Sequence, residues 1–432
     1  MNEQPRRFLQ RVWNSVRQPP PASADRAADT LVALCDALLS ERGEVSGARI
    51  AAEAMEAYQE LNEAGRAAFF SQLASHYAAD ASAVTRAIDT YRSHPTPAHL
   101  HDLHVAAESQ RQELFRRLNT APGGTHTLVQ MRADLLRTLD IHPDRAVVAA
   151  DLLHLFRSWF NRGFLVMQRI DWRTSALVLE RLIEYEAVHQ IQGWDDLRRR
   201  LEKDRRCYAF FHPALPDEPL IFIEAALTKG IFGHVRPLLN PESPVEDPAE
   251  ARCAIFYSIT NTQLGLRGVS FGNFLIKQVV EDLSHEFRKI RKFATLSPIP
   301  GFRDWLMAHR ALMSPALAAV PLDTPASLTS VSDSQRDELM RLCAYYLLRA
   351  KRGHAPADPV ARFHLANGAR LARLNWGGDV SAHGISSSLG ITANYVYRMA
   401  DVEQNHEAYA KDYKVVASFG LERLAREVKV PA

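Results

Sequence analysis

Three stretches of this 432-residue chain place reactive side chains where a backbone would hold them still. The run Thr295-Leu296-Ser297-Pro298-Ile299-Pro300-Gly301-Phe302 puts a serine just past an apolar segment, between residues that fix the chain direction. A hydroxyl held in one geometry suits an active site; the same rigidity also suits a plain strand exit in which Ser297 bonds its own loop. His364 lies in Phe363-His364-Leu365-Ala366-Asn367. A histidine there can hold or move a proton near neutral pH, or it can be a satisfied core residue. The third stretch, Gln263-Leu264-Gly265-Leu266-Arg267-Gly268-Val269-Ser270-Phe271-Gly272-Asn273, is rich in glycine and ends at an amphipathic helix. Backbone N–H groups at such a junction point outward, the helix dipole favours an anion, and glycines let a phosphate come close. Arg267 adds a cation. The alternative is a glycine-rich turn that only reverses the chain.

A fourth stretch, Asn375 to Gly390 followed by Ala393-Asn394-Tyr395-Val396-Tyr397, is rich in Gly, Ser, Asn and Tyr. It reads as a polar pocket wall or as a long surface loop. His94, His99, His101 and His104 crowd together, but their spacing matches no common zinc pattern and no cysteine is near. No metal site is expected.

The elements around these motifs divide the chain. Residues 24 to about 190 show apolar positions at helical spacing, as in Leu31, Leu34, Cys35, Leu38 and Leu39. Breaks fall at Gly43, Pro95, Pro97, Pro122-Gly123-Gly124 and Pro143, and Ser175 is placed to cap the helix from Ala176. No alternating strand stands out, so an all-helical bundle is expected over 1–190. Beyond Gly193 the texture changes. Strands are expected at 206–212, 220–227, 254–260 and 293–296, each a short aromatic or β-branched run with turn residues at its ends. A helix follows the glycine loop, with Phe274, Leu275, Val279, Val280, Leu283 and Phe287 on one side. Weaker strand signals lie around 380–385 and 413–418. Residues 191–432 therefore read as an α+β domain.

The motifs, in this order, resemble the malonyl-CoA decarboxylase family. The resemblance rests on Trp159-Phe160-Asn161-Arg162-Gly163-Phe164-Leu165, Glu184-Tyr185-Glu186-Ala187-Val188-His189, Arg205-Arg206-Cys207-Tyr208, the loop from Gly265 to Ile276, Leu296 to Phe302, Phe363-His364-Leu365 and Ala393-Asn394-Tyr395. It implies an N-terminal all-helical bundle used for oligomer contacts. It also implies a catalytic α+β domain of the N-acetyltransferase fold with a mixed sheet, working on malonyl-CoA to give acetyl-CoA and CO2 without cofactor or metal. The family's catalytic serine and histidine fall on Ser297 and His364, and a nearby tyrosine falls on Tyr397. Its coenzyme A stretch falls on Arg267, Gly268, Val269, Ser270, Phe271, Gly272 and Asn273. A homo-oligomer, dimer or tetramer, is implied as well. Two alternatives share the fold: a CoA-dependent acyltransferase, which needs an open acceptor cleft, and a non-catalytic CoA-binding module.

Composition narrows the partners. A formal net charge of +2 argues against a general nucleic-acid binder. No apolar run approaches the ~20 residues of a membrane helix. Cys35, Cys207, Cys253 and Cys343 form no CxxC pair and read as four buried thiols in a reducing compartment. The first 17 residues are Arg-rich and acid-poor. They read as a frayed surface helix before Pro19-Pro20-Pro21, with a mitochondrial presequence as the alternative. The chain ends Val-Pro-Ala, without the peroxisomal Ser-Lys-Leu address. Abundant alanine, and arginine over lysine, points to a bacterial cytoplasm.

Overall fold

The structure is a computed structural model that describes residues 24–41, 43–269, 271, 275–322 and 331–428. The Arg-rich N-terminal segment lies outside them. The chain forms two compact units. One comprises residues 1–164 with the short excursions 213–215 and 263–270; the other takes 165–212, 216–262 and 271–432.

Among the described residues, the first unit holds eight helices of nine or more residues between Ala24 and Trp159. Their starts are legible in the chain. Asn62 accepts from the Gly65 amide at 2.9 Å, Asp80 accepts from Ser82, and Thr96 accepts from His99 with Pro97 in the first turn. Leu31, Cys35 and Leu38 are buried, as are Phe69, Phe70, Phe115, Leu128, Leu152 and Phe156. Among the crowded histidines, the His99 ring bonds the His94 carbonyl at 2.7 Å.

The second unit is built on a seven-stranded mixed sheet in the order β1-β2-β3-β4-β5-β9-β8. Its strands are β1 Val166–Ile170, β2 Arg205–Phe211, β3 Ile221–Thr228, β4 Cys253–Asn261, β5 Lys292–Thr295, β8 Arg370–Asn375 and β9 Thr392–Tyr397. Lys351–Arg352 (β6) and Ala355–Pro356 (β7) form a separate two-stranded pair. Neighbours are antiparallel except β4 and β5, which run parallel and need the crossover that the helix Leu275–Glu286 supplies. β2 and β3 are buried at every position, so both faces are covered and no alternation appears in their sequence. Ser175 caps the helix Ala176–Tyr185 through the Val178 amide. That helix and β1 belong to the second unit.

The expected mixed-sheet α+β domain is therefore what the chain forms, with differences at its edges. β1 has three exposed positions out of five and looked like none of the four aromatic strands. The signal at 380–385 is not a strand: Ala382–Ser388 is a helix capped by Ser381, whose side chain accepts from the Gly384 amide. Around 413–418 only a bridge forms, between Leu371 and Ala417. The Gly/Ser/Asn-rich stretch is no surface loop, since it ends in β9, where Thr392, Ala393, Asn394 and Tyr395 are all buried. All four cysteines are free and buried. No described helix is long and apolar enough to cross a membrane.

Candidate active site

The parallel pair β4–β5 opens at one end. The last bond across it runs from the Leu296 amide to the Phe256 carbonyl at 2.8 Å. One residue later Ser297 exchanges both of its backbone bonds with Ala393 at the start of β9, each 2.9 Å. β4 instead continues to Asn261 alongside β3, past a register shift opposite Glu224 and Ala225. Where the strands part lies a cavity of about 210 Å³. Ser258, Ile259 and Asn261 line it from β4, Leu296, Ser297 and Pro298 from the β5 exit, and Pro359, Val360, Phe363 and His364 from a helix above.

That helix, Pro359–Ala366, is started by Asp358, whose carboxylate accepts from the Ala361 amide at 2.7 Å, with Pro359 in the first turn. His364 sits in its last turn and is almost fully buried. The ring stacks on Tyr395, centroids 4.6 Å apart and planes 27° from parallel. Its Nε2 lies 2.9 Å from Ser297 Oγ, and its Nδ1 lies 2.8 Å from the Tyr397 hydroxyl. Ser297 Oγ in turn donates to Thr295 Oγ1 at 2.7 Å. The three side chains expected from the sequence thus meet, and Thr295 completes a four-member chain.

The direction of this chain follows from proton counting. A serine hydroxyl has one proton, and here it goes to Thr295. Ser297 then faces His364 as an acceptor, so Nε2 carries the hydrogen and Nδ1 accepts from the Tyr397 hydroxyl. Thr295 Oγ1 is itself held by the Tyr395 amide at 3.1 Å. Thr295 lies two residues before Ser297, so strand periodicity puts both side chains on one side; that spacing was the available signal for a residue the sequence reading passed over. Replacing Thr295 by valine keeps the shape and releases the Ser297 proton. Turnover is expected to fall about tenfold, the worth of one hydrogen bond, with KM little changed. Thr295→Ser should restore it in the same steady-state assay.

No carboxylate among the described residues supports His364. Burial alone pushes its pKa from the ordinary 6.5 down to about 3, so the ring is neutral in the free protein. Burial likewise raises the Tyr397 and Tyr395 hydroxyls well above their usual range. The sign of the linkage is fixed. A group whose folded pKa lies below its unfolded value stabilises the fold above pH 6.5, and loses that contribution as pH falls from 6.5 toward 3. Melting temperature should therefore drop on acidification through this window, and by less in His364→Gln. The comparison must be made between variant and parent, because burial raises Asp358 to about 6 and so works the other way.

A buried glutamate, also missed, shapes the pocket from below. Glu186 accepts from the amides of Val188 and His189 at 2.8 and 2.7 Å, and from Ser258 Oγ and Thr260 Oγ1 on β4. One carboxylate therefore straps the segment 186–189 to the strand, and Val188 and Ser258 both face the cavity. It lies inside a quoted motif, Glu184 to His189, but acidic residues are common on helices and nothing marked this one as buried.

The glycine loop belongs to the first compact unit up to Val269, its last described residue there. Arg132 is buried and donates to the carbonyls of Gly265 and Arg267 at 2.6 and 2.9 Å. A Cβ on Gly265 would run into the Val129 carbonyl, and Gly268 has φ +88°, so both glycines have structural reasons to be there. Arg267 and Gly268 are exposed, while Val269 and Phe271 are buried. Ser270, Gly272 and Asn273 lie outside the described residues.

Comparison with known proteins decides the family. A profile described as the malonyl-CoA decarboxylase C-terminal domain matches residues 163–431, and one described as its N-terminal domain matches 77–160. The chain is 37% identical over 339 residues to the mitochondrial malonyl-CoA decarboxylase of Anser anser anser, covering 71% of this chain and 67% of that one. The rat enzyme is 35% identical over 350 residues, 73% and 71% of the two chains. The crystal structure of malonyl-CoA decarboxylase from Rhodopseudomonas palustris superposes with a TM-score of 0.88 at 46% identity, over 92% of this chain and 99% of that one. The chain belongs to the malonyl-CoA decarboxylase family. Family members are carboxy-lyases, and the fold agrees with membership. The structure from Agrobacterium vitis is similar to the same extent, with a TM-score of 0.85 at 46% identity.

Proposed function

We propose that this chain converts malonyl-CoA to acetyl-CoA and CO2 in the cavity between β4 and β5, with Ser297 and His364 as its catalytic residues. The observation that carries this reading is the buried, uncharged Ser297–His364 pair at the wall of a small, largely apolar pocket. Loss of CO2 leaves an electron pair on the α carbon, delocalised onto the thioester oxygen, so the thioester is its own electron sink. The carboxylate charge is concentrated in the ground state and dispersed as the carbon–carbon bond breaks, so a pocket poor in water favours the transition state. With substrate bound, the Ser297 hydroxyl turns its proton from Thr295 to the enolate oxygen while still accepting from His364 Nε2, and so stabilises the developing charge.

The proton comes from the same pair. No described residue lining the pocket is acidic, and the substrate's carboxylate supplies an anion beside His364. Beside it the imidazolium form of His364 gains the partner it has in no other state, so the histidine takes a proton from solvent as substrate binds. That proton passes to the α carbon, directly or through the Ser297 hydroxyl, as the negative charge leaves with the forming enolate. The ring returns to neutral. Tyr397 tolerates both forms because a phenol donates to Nδ1 when the ring is neutral and accepts from it when the ring is charged. Coenzyme A phosphates are assigned to the loop Arg267 to Asn273 by the sequence resemblance.

Release of CO2 and acetyl-CoA from malonyl-CoA by purified protein, with chelator present, tests the reading. Turnover under those conditions is the expected result; none, with CoA still raising the melting temperature, would leave only a binding module. One observation favours an acyltransferase: a cavity of about 940 Å³ shares Val188 with the catalytic pocket and resembles the cleft an acceptor would need. Mass spectrometry of small amines incubated with acetyl-CoA separates the two, and no acylated amine is expected.

Self-association is part of the same reading. The sequence resemblance is what supports a contact between copies on the helical unit. Light scattering should give a dimer or tetramer. Residence in a bacterial cytoplasm rests on composition, and cell fractionation checks it.

A further inference from the structure

The sheet of the second unit carries a second concave site, opposite in character to the catalytic pocket. Lys229, Arg252, Arg288, Lys289, Arg291 and Lys292 line a cavity of about 620 Å³, and among the described residues none of its wall is acidic. Because β4 and β5 run parallel, their N-terminal ends share one edge. Arg252 precedes β4, Arg291 precedes β5 and Lys292 opens it, and Lys229 follows β3 beside them. Ser258 and Ser297 lie toward the other ends of the same strands, roughly 17 Å along β4 at 3.3 Å per residue. The decarboxylation chemistry uses none of these six cations.

Holding six like charges in one cavity costs free energy, and most basic residues of this chain avoid that cost by pairing or dispersing. Here Lys229 reaches Glu246 at 3.1 Å and Lys289 reaches Glu250 at 3.0 Å, both in exposed pairs. Arg252, Arg288, Arg291 and Lys292 have no carboxylate partner among the described residues. The C-terminal dipole of the helix Leu275–Glu286 gives a reason for Arg288 and Lys289, but none for the strand-borne cations. Those are held on rigid backbone: the Arg291 amide bonds the Arg252 carbonyl at 3.1 Å. With a net charge of only +2 over the whole chain, this concentration is a local feature and not the overflow of a basic protein.

We infer that this cavity binds a ligand carrying two or more linked phosphates. Guanidinium forks pair with phosphate oxygens two at a time, which an isolated ammonium does not do. A single carboxylate or orthophosphate satisfies one or two cations; a short phosphate chain matches the four that lack carboxylates. The concavity suits a small polyanion better than the broad face of a macromolecule. The inference stands independently of the decarboxylase reading.

Calorimetric titration of the full chain with inorganic tripolyphosphate in about 0.1 M salt tests it. Saturable binding near one per chain is expected, weakening steeply toward about 1 M salt as screening shortens to a few ångströms. Orthophosphate and the double variant Arg288→Ala/Arg291→Ala should each bind about tenfold more weakly or worse, since charge-assisted bonds are lost. The variant's KM for malonyl-CoA should not move. ATP binding more tightly than tripolyphosphate would identify a nucleotide; equal affinity would mean that the phosphate chain alone is read. The proposal is overturned if no saturable binding occurs, if binding survives the double variant, or if only polyglutamate binds, which would indicate an acidic protein partner.

Discussion

Replacing Ser297 by alanine is expected to lower kcat by about two orders of magnitude with KM within a few-fold, the pattern of a donor used mainly in the transition state. Ser297 is the member of the hydrogen-bonded chain that both touches His364, at 2.9 Å, and faces the cavity near its β4 wall. Alanine removes the acceptor that holds the Nε2 hydrogen and the hydroxyl available to the enolate oxygen. The serine is not a nucleophile in this scheme. Deprotonating it would need a base, and His364, buried without a carboxylate and held near pKa 3, is too weak a one. Mass spectrometry of the wild-type protein during turnover should therefore find no acyl-serine. Steady-state release of acetyl-CoA checks the variant, with its melting temperature as the control for folding. Activity within a few-fold of wild type would remove Ser297 from the mechanism.

How much of this site was legible depends on what each residue's neighbours in sequence could say. β2 to β5 announce themselves because apolar and aromatic runs end abruptly at Pro, Gly or charged residues, and the exit of β5 is fixed by Pro298 and Pro300. Ser297 could thus be placed on a rigid turn without any fold. Its partners could not be reached that way. His364 is 67 residues on and Tyr397 a further 33, and only tertiary packing brings them together. Read locally, His364 is a histidine in an apolar helix. Both readings of it hold at once, since it is a buried core residue and it faces Ser297.

β8 and β9 were hidden for a different reason. Arg370–Asn375 and Thr392–Tyr397 mix polar and apolar residues without clean alternation, because their polar groups are satisfied inside the protein. Asn394 is fully buried and accepts from Arg373 and Asn375 while donating to the carbonyls of Phe232 and Thr295. A composition that reads as loop is here a packed polar network. The glycine loop carries the converse lesson. Glycines suggested a phosphate cradle, yet Gly265 is also required where the backbone meets Val129. The sequence could not distinguish a glycine that admits a ligand from one that admits a neighbouring helix.

The largest effect is expected from His364→Ala, a loss of about three orders of magnitude in kcat, within the range for removing a positioned proton donor. CoA affinity, read by thermal shift, should hardly change. The pH profile separates this role from a structural one. In the free protein the ring is neutral down to about pH 3. In the complex the malonyl carboxylate raises that value, and the protonated form is the reactive one. Wild-type kcat should therefore fall as pH rises through the raised value, whereas the residual rate of His364→Ala should lack that limb. Binding of a malonyl-CoA analogue that cannot decarboxylate should draw protons from solution in the wild type, measurable by titration in buffers of different ionisation enthalpy, and should draw fewer in His364→Ala. Equal uptake in both would mean that the substrate carboxylate finds its partner elsewhere, and the proton on the α carbon would then have to come from another donor in the cavity.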